Sequence, residues 1–226
     1  MFYVLSLGGS IVSLKDGVNV GFLKKFKKII ENRVEKGDKF IIVVGGGQTA
    51  RKYIYSAREI RKDLSEYDQD YLGIYATRLN AYLLKSIFSD LAFEKIISDP
   101  KVKVKTTKPL IFSGGYLPGN SSDFVAVLLA EIYKVEKIIN LSNIDYVYDR
   151  DPNKFSGAQK IEKIRWSDFL SLIGKKWKPG MSAPFDPVAS VRCKKSNKKV
   201  VVLNGQNLGN LNKYFSGQKF KGTEIE

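Results

Sequence analysis

The stretch Lys39-Phe40-Ile41-Ile42-Val43-Val44-Gly45-Gly46-Gly47-Gln48-Thr49-Ala50-Arg51 decides how this chain folds. An unbroken apolar run over 40–44 suits a strand buried on both faces, as in parallel sheets covered by helices. The glycines that follow lead into a helix whose first turns carry Arg51 and Lys52. Three successive glycines at such a junction cost backbone entropy that a merely structural turn would not need. In open α/β sheets, ligands collect at the carboxyl ends of strands, where the next helix offers unpaired N–H groups to an anion.

Outward from this unit the same alternation recurs. Strands are predicted over 2–7, 39–44, 109–112, 137–141 and 199–203, and amphipathic helices over 22–34, 50–61, 77–88, 123–133 and 166–173. The class is α/β, a three-layer α/β/α sandwich around a mostly parallel sheet. With 226 residues, 43% hydrophobic, and no repeat or linker, the chain reads as a single domain over 1–226.

Composition narrows the chemistry. The apolar run at 2–7 is too short to span a bilayer and lacks the flanks of a signal peptide, so a soluble, cytoplasmic protein is expected. One cysteine, Cys193, cannot form an intramolecular disulfide, and the absence of histidine argues against the usual zinc sites. A metal here should be oxygen-bound, with Mg²⁺ the natural candidate. The formal charge of +15 fits either a polyanion-binding surface or a solvated lysine-rich one. Scattered pairs such as Lys24-Lys25, Lys175-Lys176 and Lys198-Lys199 favour the solvated reading, with phosphate-bearing small substrates as the main alternative. Lys101, Lys103 and Lys105 read equally as an edge strand or a loop.

Two more glycine loops follow strands. Leu7-Gly8-Gly9-Ser10 lets backbone approach a phosphate and adds a hydroxyl, although an ordinary tight turn has the same composition. Ser113-Gly114-Gly115-Tyr116-Leu117-Pro118-Gly119-Asn120-Ser121-Ser122-Asp123 leads into a strongly apolar helix. There Ser122 or Asp123 can cap the helix, or Asn120, Ser121 and Ser122 can donate to a substrate phosphate at its positive end. Neither of the first two loops has the Walker or dinucleotide spacing.

These loops, in this order, resemble the UMP kinases of the amino acid kinase family, most of all the archaeal-type branch. The segments Asp70-Tyr71-Leu72-Gly73-Ile74 and Thr77-Arg78-Leu79-Asn80-Ala81 carry the likeness further, as does Asn140-Leu141-Ser142-Asn143-Ile144-Asp145-Tyr146-Val147-Tyr148-Asp149-Arg150-Asp151-Pro152. Late in the chain, Pro179-Gly180-Met181-Ser182 and Phe185-Asp186-Pro187-Val188-Ala189 are similar to the family's closing segment. The resemblance implies the amino acid kinase fold, Mg²⁺ with ATP, UMP as acceptor, and a homo-oligomer, commonly a hexamer. It implies no membrane partner and makes nucleic acid an unlikely one.

Residue by residue, the likeness gives Gly46, Asp70 and the run Tyr116, Leu117, Pro118, Gly119, Asn120, Ser121 and Ser122 to UMP. It gives Gly8, Gly9, Ser10, Gly47, Arg51, Ser142, Asn143, Tyr148 and Asp151 to ATP. Arg51, Asp186 and Gly9 would act at the transferring group, and no protein metal ligand is implied. The acceptor side would span about 1–135 and the ATP side about 136–226. Physical chemistry agrees in outline, since phosphoryl transfer needs mainly in-line positioning and charge neutralisation.

Three departures stand out. Many relatives place a lysine two residues before the first glycine pair, where this chain has Ser6, so Arg51, with Lys178 as a helper, would have to carry that charge. Tyr146 stands where the signature usually has glycine, and would be strained if that turn needs positive φ. The cluster Glu66, Asp68 and Asp70 also reads as a solvated loop. Among rivals of the same fold, isopentenyl phosphate kinases use a histidine this chain lacks, and acetylglutamate and aspartate kinases usually keep the first-strand lysine. A nucleotide-binding regulator that has lost catalysis is the alternative from another class.

Overall fold

The computed structural model describes residues 1–152, 154–174 and 183–226. The apolar runs form β1 (Phe2–Leu7), β4 (Lys39–Val44), β5 (Leu110–Ser113), β6 (Lys137–Ser142) and β10 (Lys199–Asn204). Two short strands, β2 (Ser13–Leu14) and β3 (Gly17–Val18), make a hairpin, and β7 (Val147–Tyr148) pairs with β8 (Lys160–Ile161). With β9 (Lys163–Ile164) and β11 (Thr223–Ile225), the main sheet has the order β5-β4-β1-β6-β10-β11-β9. Neighbours from β5 to β10 are parallel, and β11 runs antiparallel to β10.

Successive residues of each strand serve opposite faces. Leu5, Ile42, Phe112 and Ile139 pack on one side against α2 (Val20–Glu35), α4 (Glu66–Ile87) and α8 (Leu208–Phe215). Val4, Ile41, Ile111 and Ile138 pack on the other against α5 (Ser122–Ile132), α6 (Trp166–Ile173) and α7 (Pro187–Lys195). Burial on both faces is why these strands read as continuous apolar runs rather than alternating ones. The remaining helices, α1 (Gly9–Val12) and α3 (Gly47–Ile60), start on the first and second glycine loops.

Three departures from the sequence reading have physical causes. Glu66, Asp68 and Asp70 lie in the first turns of α4 rather than in a loop. Ser65 caps that helix by accepting from the Asp68 N–H, and acidic side chains in a first turn suit the helix dipole. The cap of α5 is Ser121, accepting from the Phe124 N–H at 3.1 Å, so neither Ser122 nor Asp123 is needed for it. Lys101, Lys103 and Lys105 lie in coil, not in a strand.

Candidate active site

All three glycine loops sit at the carboxyl edge of the sheet, after β1, β4 and β5. Because β1 lies between β4 and β6, the chain order reverses there, and crevices form at such switch points. The loops are held by unusually close backbone contact. A Cβ on Gly9 would stand 2.2 Å from the Gly47 nitrogen and 2.5 Å from the Gly45 carbonyl. Gly47, at φ +58°, would in turn place a Cβ 2.1 Å from the Gly9 oxygen. Glycine is therefore demanded by the interlock itself, a reason the sequence reading did not contain.

Helix α4 braces the second and third loops. Buried Asn80 donates to the carbonyls of Gly45 and Gly46 at 2.9 and 3.0 Å. Thr77 Oγ1 accepts from the Gly115 N–H, Arg78 donates to the carbonyls of Gly115 and Tyr116, and Asp70 Oδ2 accepts from the Gly119 N–H at 2.6 Å. Arg78 thus has a structural task. Neither α1 nor α3 is capped by the side chain of its N-cap residue, although the Thr49 N–H in the first turn of α3 donates to Ser13 Oγ at 3.1 Å. The Gly8 N–H is already engaged with the Leu141 carbonyl at 3.0 Å, which leaves Gly9, Gly46 and Gly47 as the amides suited to an anion.

Two cavities open at this edge. One, of 280 Å³, is lined by Gly46, Gly47, Arg51, Asp70, Leu117, Asn120, Ser121 and Ser122, together with Ala50, Ile54, Gln69, Gly73, Ile74, Thr77 and Gly115. The other, of 380 Å³, lies beyond the end of β6 and gathers Ser142, Asn143, Tyr148 and Asp151 with Ile144, Tyr146, Asp149, Arg150, Pro152, Leu172, Ile173, Ala183 and Pro184. Gly8, Gly9 and Ser10 line neither cavity, and by strand order their loop falls between them. Tyr116 lines a neighbouring cavity with Phe124 and Arg192, Gly119 meets Asp70 through its N–H, and Pro118 lines none of these. Lys178 and the segment 179–182 lie outside the described residues.

Tyr146 is unstrained, since only Lys134 and Asn197 have positive φ among described non-glycine residues. Its ring lines the larger cavity, and the Lys160 ammonium, which does not, sits 4.9 Å from the ring centroid. Neighbouring Asp145 accepts from Asn204 Nδ2 at 2.9 Å, tying the loop to β10.

The centre of the edge holds a residue that sequence reading treated only as a possible cap. Asp123 Oδ1 accepts from the Ser6 hydroxyl at 2.8 Å, and its Oδ2 accepts from the Asp186 N–H at 3.1 Å. Ser6, expected from the resemblance to stand in place of a lysine, is thus the hydroxyl partner of a carboxylate. Burial pushes the Asp123 carboxyl up from the ordinary 3.8 to about 6, with Ser6 and the Asp186 N–H opposing and the Asp186 charge adding. Asp186 is likewise raised, chiefly by burial, against the Ala189 N–H, which its Oδ1 accepts at 2.7 Å, and the Ser121 hydroxyl. Asp186 therefore caps α7, and it is in the wall of neither cavity.

This has a consequence for stability. A carboxyl whose native pKa is raised favours the folded state when protonated, so its contribution is complete below about pH 4 and is lost as pH rises through about 6. The stability of the native chain minus that of Asp123→Asn, from urea unfolding, should fall by about 2–3 kcal/mol between pH 4 and 6. A flat difference would remove the raised carboxyl from the account.

Comparison with known proteins gives the family and agrees with the fold. The amino acid kinase family matches residues 1–204. The uridylate kinase of Methanobrevibacter smithii is 35% identical over 228 residues, covering 100% of this chain and 99% of that one. That of Methanocaldococcus jannaschii is 34% identical over 208 residues, 91% of each. The crystal structure of uridylate kinase from Archaeoglobus fulgidus matches with a TM-score of 0.83 at 34% identity, covering 100% of both chains. UMP kinase from Ureaplasma parvum, at 21% identity and a TM-score of 0.80, shares the fold.

Proposed function

The chain belongs to the amino acid kinase family, and from that premise we propose that it is a UMP kinase. It moves the γ-phosphoryl group of Mg-ATP onto UMP: an oxygen of the UMP phosphate bonds to the γ-phosphorus as the bond to the bridging oxygen of ADP breaks. What supports this most is the presence of two cavities at one sheet edge, with the Gly8-Gly9 loop between them in strand order. The smaller one, at the second and third glycine loops, takes UMP, and the larger one, at the end of β6, takes the adenosine of ATP.

In this reading the amides of Gly9, Gly46 and Gly47 and the Arg51 guanidinium hold the phosphates in line and offset the charge on the equatorial oxygens. Arg51 has no ion-pair partner among the described residues, so its fork is available. Asp70 orients the acceptor ribose and, through Gly119, the loop that encloses it. Asp123 positions Asp186 through the backbone N–H, and Asp186 organises the donors around the transferring group. Tyr146 and Tyr148 flank the base of ATP.

Mg²⁺ supplies charge neutralisation when bound with ATP. The donor chemistry fits an ion carried largely by phosphate and water: no group of three or more Asp, Glu, Cys or His side chains forms a cage among the described residues, while Asp186 offers hard oxygen nearby. The chain works as one domain over 1–226, with 1–135 serving the acceptor and 136–226 the donor. No helix among the described residues is long and apolar enough to cross a membrane, and a cytoplasmic setting suits the substrates. Assembly into a homo-oligomer, a hexamer by resemblance, completes the reading. The exposed Tyr67, Tyr75 and Leu79 on α4, with acids at its start and Lys85 in its last turn, fit antiparallel contact with a second copy.

The test is an ADP-release assay with Mg-ATP against UMP, CMP, dUMP, AMP, acetylglutamate, carbamate and isopentenyl phosphate. Turnover should be well above the others with UMP. No turnover with any acceptor, in protein that still binds ATP, would reassign the chain as a nucleotide-binding regulator.

A further inference from the structure

The carboxyl edge of β1, β4 and β5 carries the glycine loops, but the opposite edge of the same three strands opens on a different cavity, of 460 Å³. Lys39, Lys103, Lys105 and Lys108 line it, Phe2 and Tyr133 lie among them, and no acidic side chain is in its wall. A few lysines elsewhere are matched with carboxylates, as in Lys62–Glu59, Lys160–Glu162 and Lys199–Glu226. The four cavity lysines have no acidic partner within 4 Å among the described residues. The nearest acid in sequence, Asp38, is 4% exposed and already accepts from Arg33 Nε at 2.6 Å.

The coil that brings these lysines together is fixed rather than loosely draped. The Val104 N–H donates to the Tyr133 hydroxyl at 3.0 Å, Tyr133 meets Phe2 edge to face at 5.7 Å, and Lys108 Nζ donates to the Asp90 carbonyl at 2.7 Å. Four lysines in the wall of one concavity, with no acid beside them, make it strongly basic, and a polyanion matches that charge. The Lys103 ammonium lies 5.2 Å from the Tyr133 ring centroid, so that aromatic face is covered and unavailable for stacking a base. Of the two rings in the wall, Tyr133 is therefore taken, and charge is the dominant feature that the cavity offers.

We infer that this cavity binds a small anion carrying consecutive phosphates, recognised by the phosphates and not by a base. At about 3.3 Å per residue, the strands separate it from the glycine loops by roughly 20 Å, too far for one ligand to reach both. The site is thus independent of the phosphoryl-transfer centre. Inorganic polyphosphate and nucleoside triphosphates share the required chemistry. A single-stranded nucleic acid fits less well, because such ligands use exposed rings in an open groove.

The experiment is calorimetric titration of the full chain and of Lys103→Gln/Lys105→Gln/Lys108→Gln with sodium tripolyphosphate, then with ATP. Both probes should show one more equivalent in the native chain than in the variant, and the variant should keep its KM for ATP and UMP and its thermal midpoint. Equal stoichiometry in the two proteins would overturn the proposal. An extra equivalent for ATP but not for tripolyphosphate would also overturn it, by making the base necessary. Loss in the variant of binding to a 20-nucleotide single-stranded RNA, with tripolyphosphate inert, would assign the lysines to nucleic acid instead. None of these outcomes depends on which acceptor the kinase uses.

Discussion

Gly9→Ala is expected to lower turnover with UMP by about 10²-fold or more, because a displacement near 1 Å at the reacting centre is enough for a loss of that size. The added methyl would stand 2.2 Å from the Gly47 nitrogen and 2.5 Å from the carbon and oxygen of Gly45. Every one of those atoms is main chain, so no side-chain rotation can make room, and the two loops must part. A stability loss of about 1–3 kcal/mol should accompany the change, as is usual for forced overpacking. Gly21→Ala provides the control, since nothing lies within 4 Å of a Cβ there and the residue sits in the first turn of α2. It should leave turnover unchanged. If Gly9→Ala retained more than a third of native turnover, the close contact between the loops would not govern the reaction.

Arg51→Ala is expected to reduce turnover by about 10²–10³, the loss typical of removing one preorganised electrostatic donor. Arg51 stands on the second turn of α3, in the wall of the smaller cavity and without an acidic partner among the described residues, whereas Ser6 supplies no charge. Arg51→Lys should recover part of the loss, because an ammonium keeps the charge but cannot grip two oxygens. A change under threefold for Arg51→Ala would reject the role, and the charge would then have to come from elsewhere.

The parallel strands were legible because nature marks them twice, by an apolar run and by what stands at its ends. Lys39, Lys137 and Lys199 open three of them, and glycine follows β1 and β4 directly. The first half of α4 was not legible. Its acidic start resembles a solvated loop, and Tyr67 and Tyr75 are each 61% exposed, so the chain there shows no clean apolar stripe. Helix α7 did carry a readable signal in Asp186-Pro187, a capping acid followed by proline at the first helical position. Helix α1, four residues long and starting on a glycine, carried none.

At the site, the resemblance rather than local sequence grouped Ser142, Asn143, Tyr148 and Asp151, which line one cavity, and Gly46, Asp70 and Asn120, which line the other, whereas Gly47 and Arg51, given with the first group, lie in the wall of the second. What it could not supply was contact across long separations. Ser6 and Asp123 lie 117 residues apart, and Asp123 and Asp186 lie 63 apart, yet they form one hydrogen-bonded chain. Without that pairing, Ser6 reads as a missing cation rather than as a donor to a buried carboxyl.

The interlock of Gly9 with Gly45 and Gly47 also bears on how this enzyme could be altered. On the proposed assignment, the span between the two substrates is set by peptide bonds in contact, while much of each cavity's wall is made by side chains on other segments. If the two cavities take acceptor and donor as proposed, recognition and spacing are separable: exchanging Leu117 or Asn120 should alter the choice of acceptor, and exchanging Tyr146 the choice of donor, without resetting the gap that the transferred group must cross. A redesign of this catalyst should accordingly treat the three glycines as a fixed gauge and confine its substitutions to the rims.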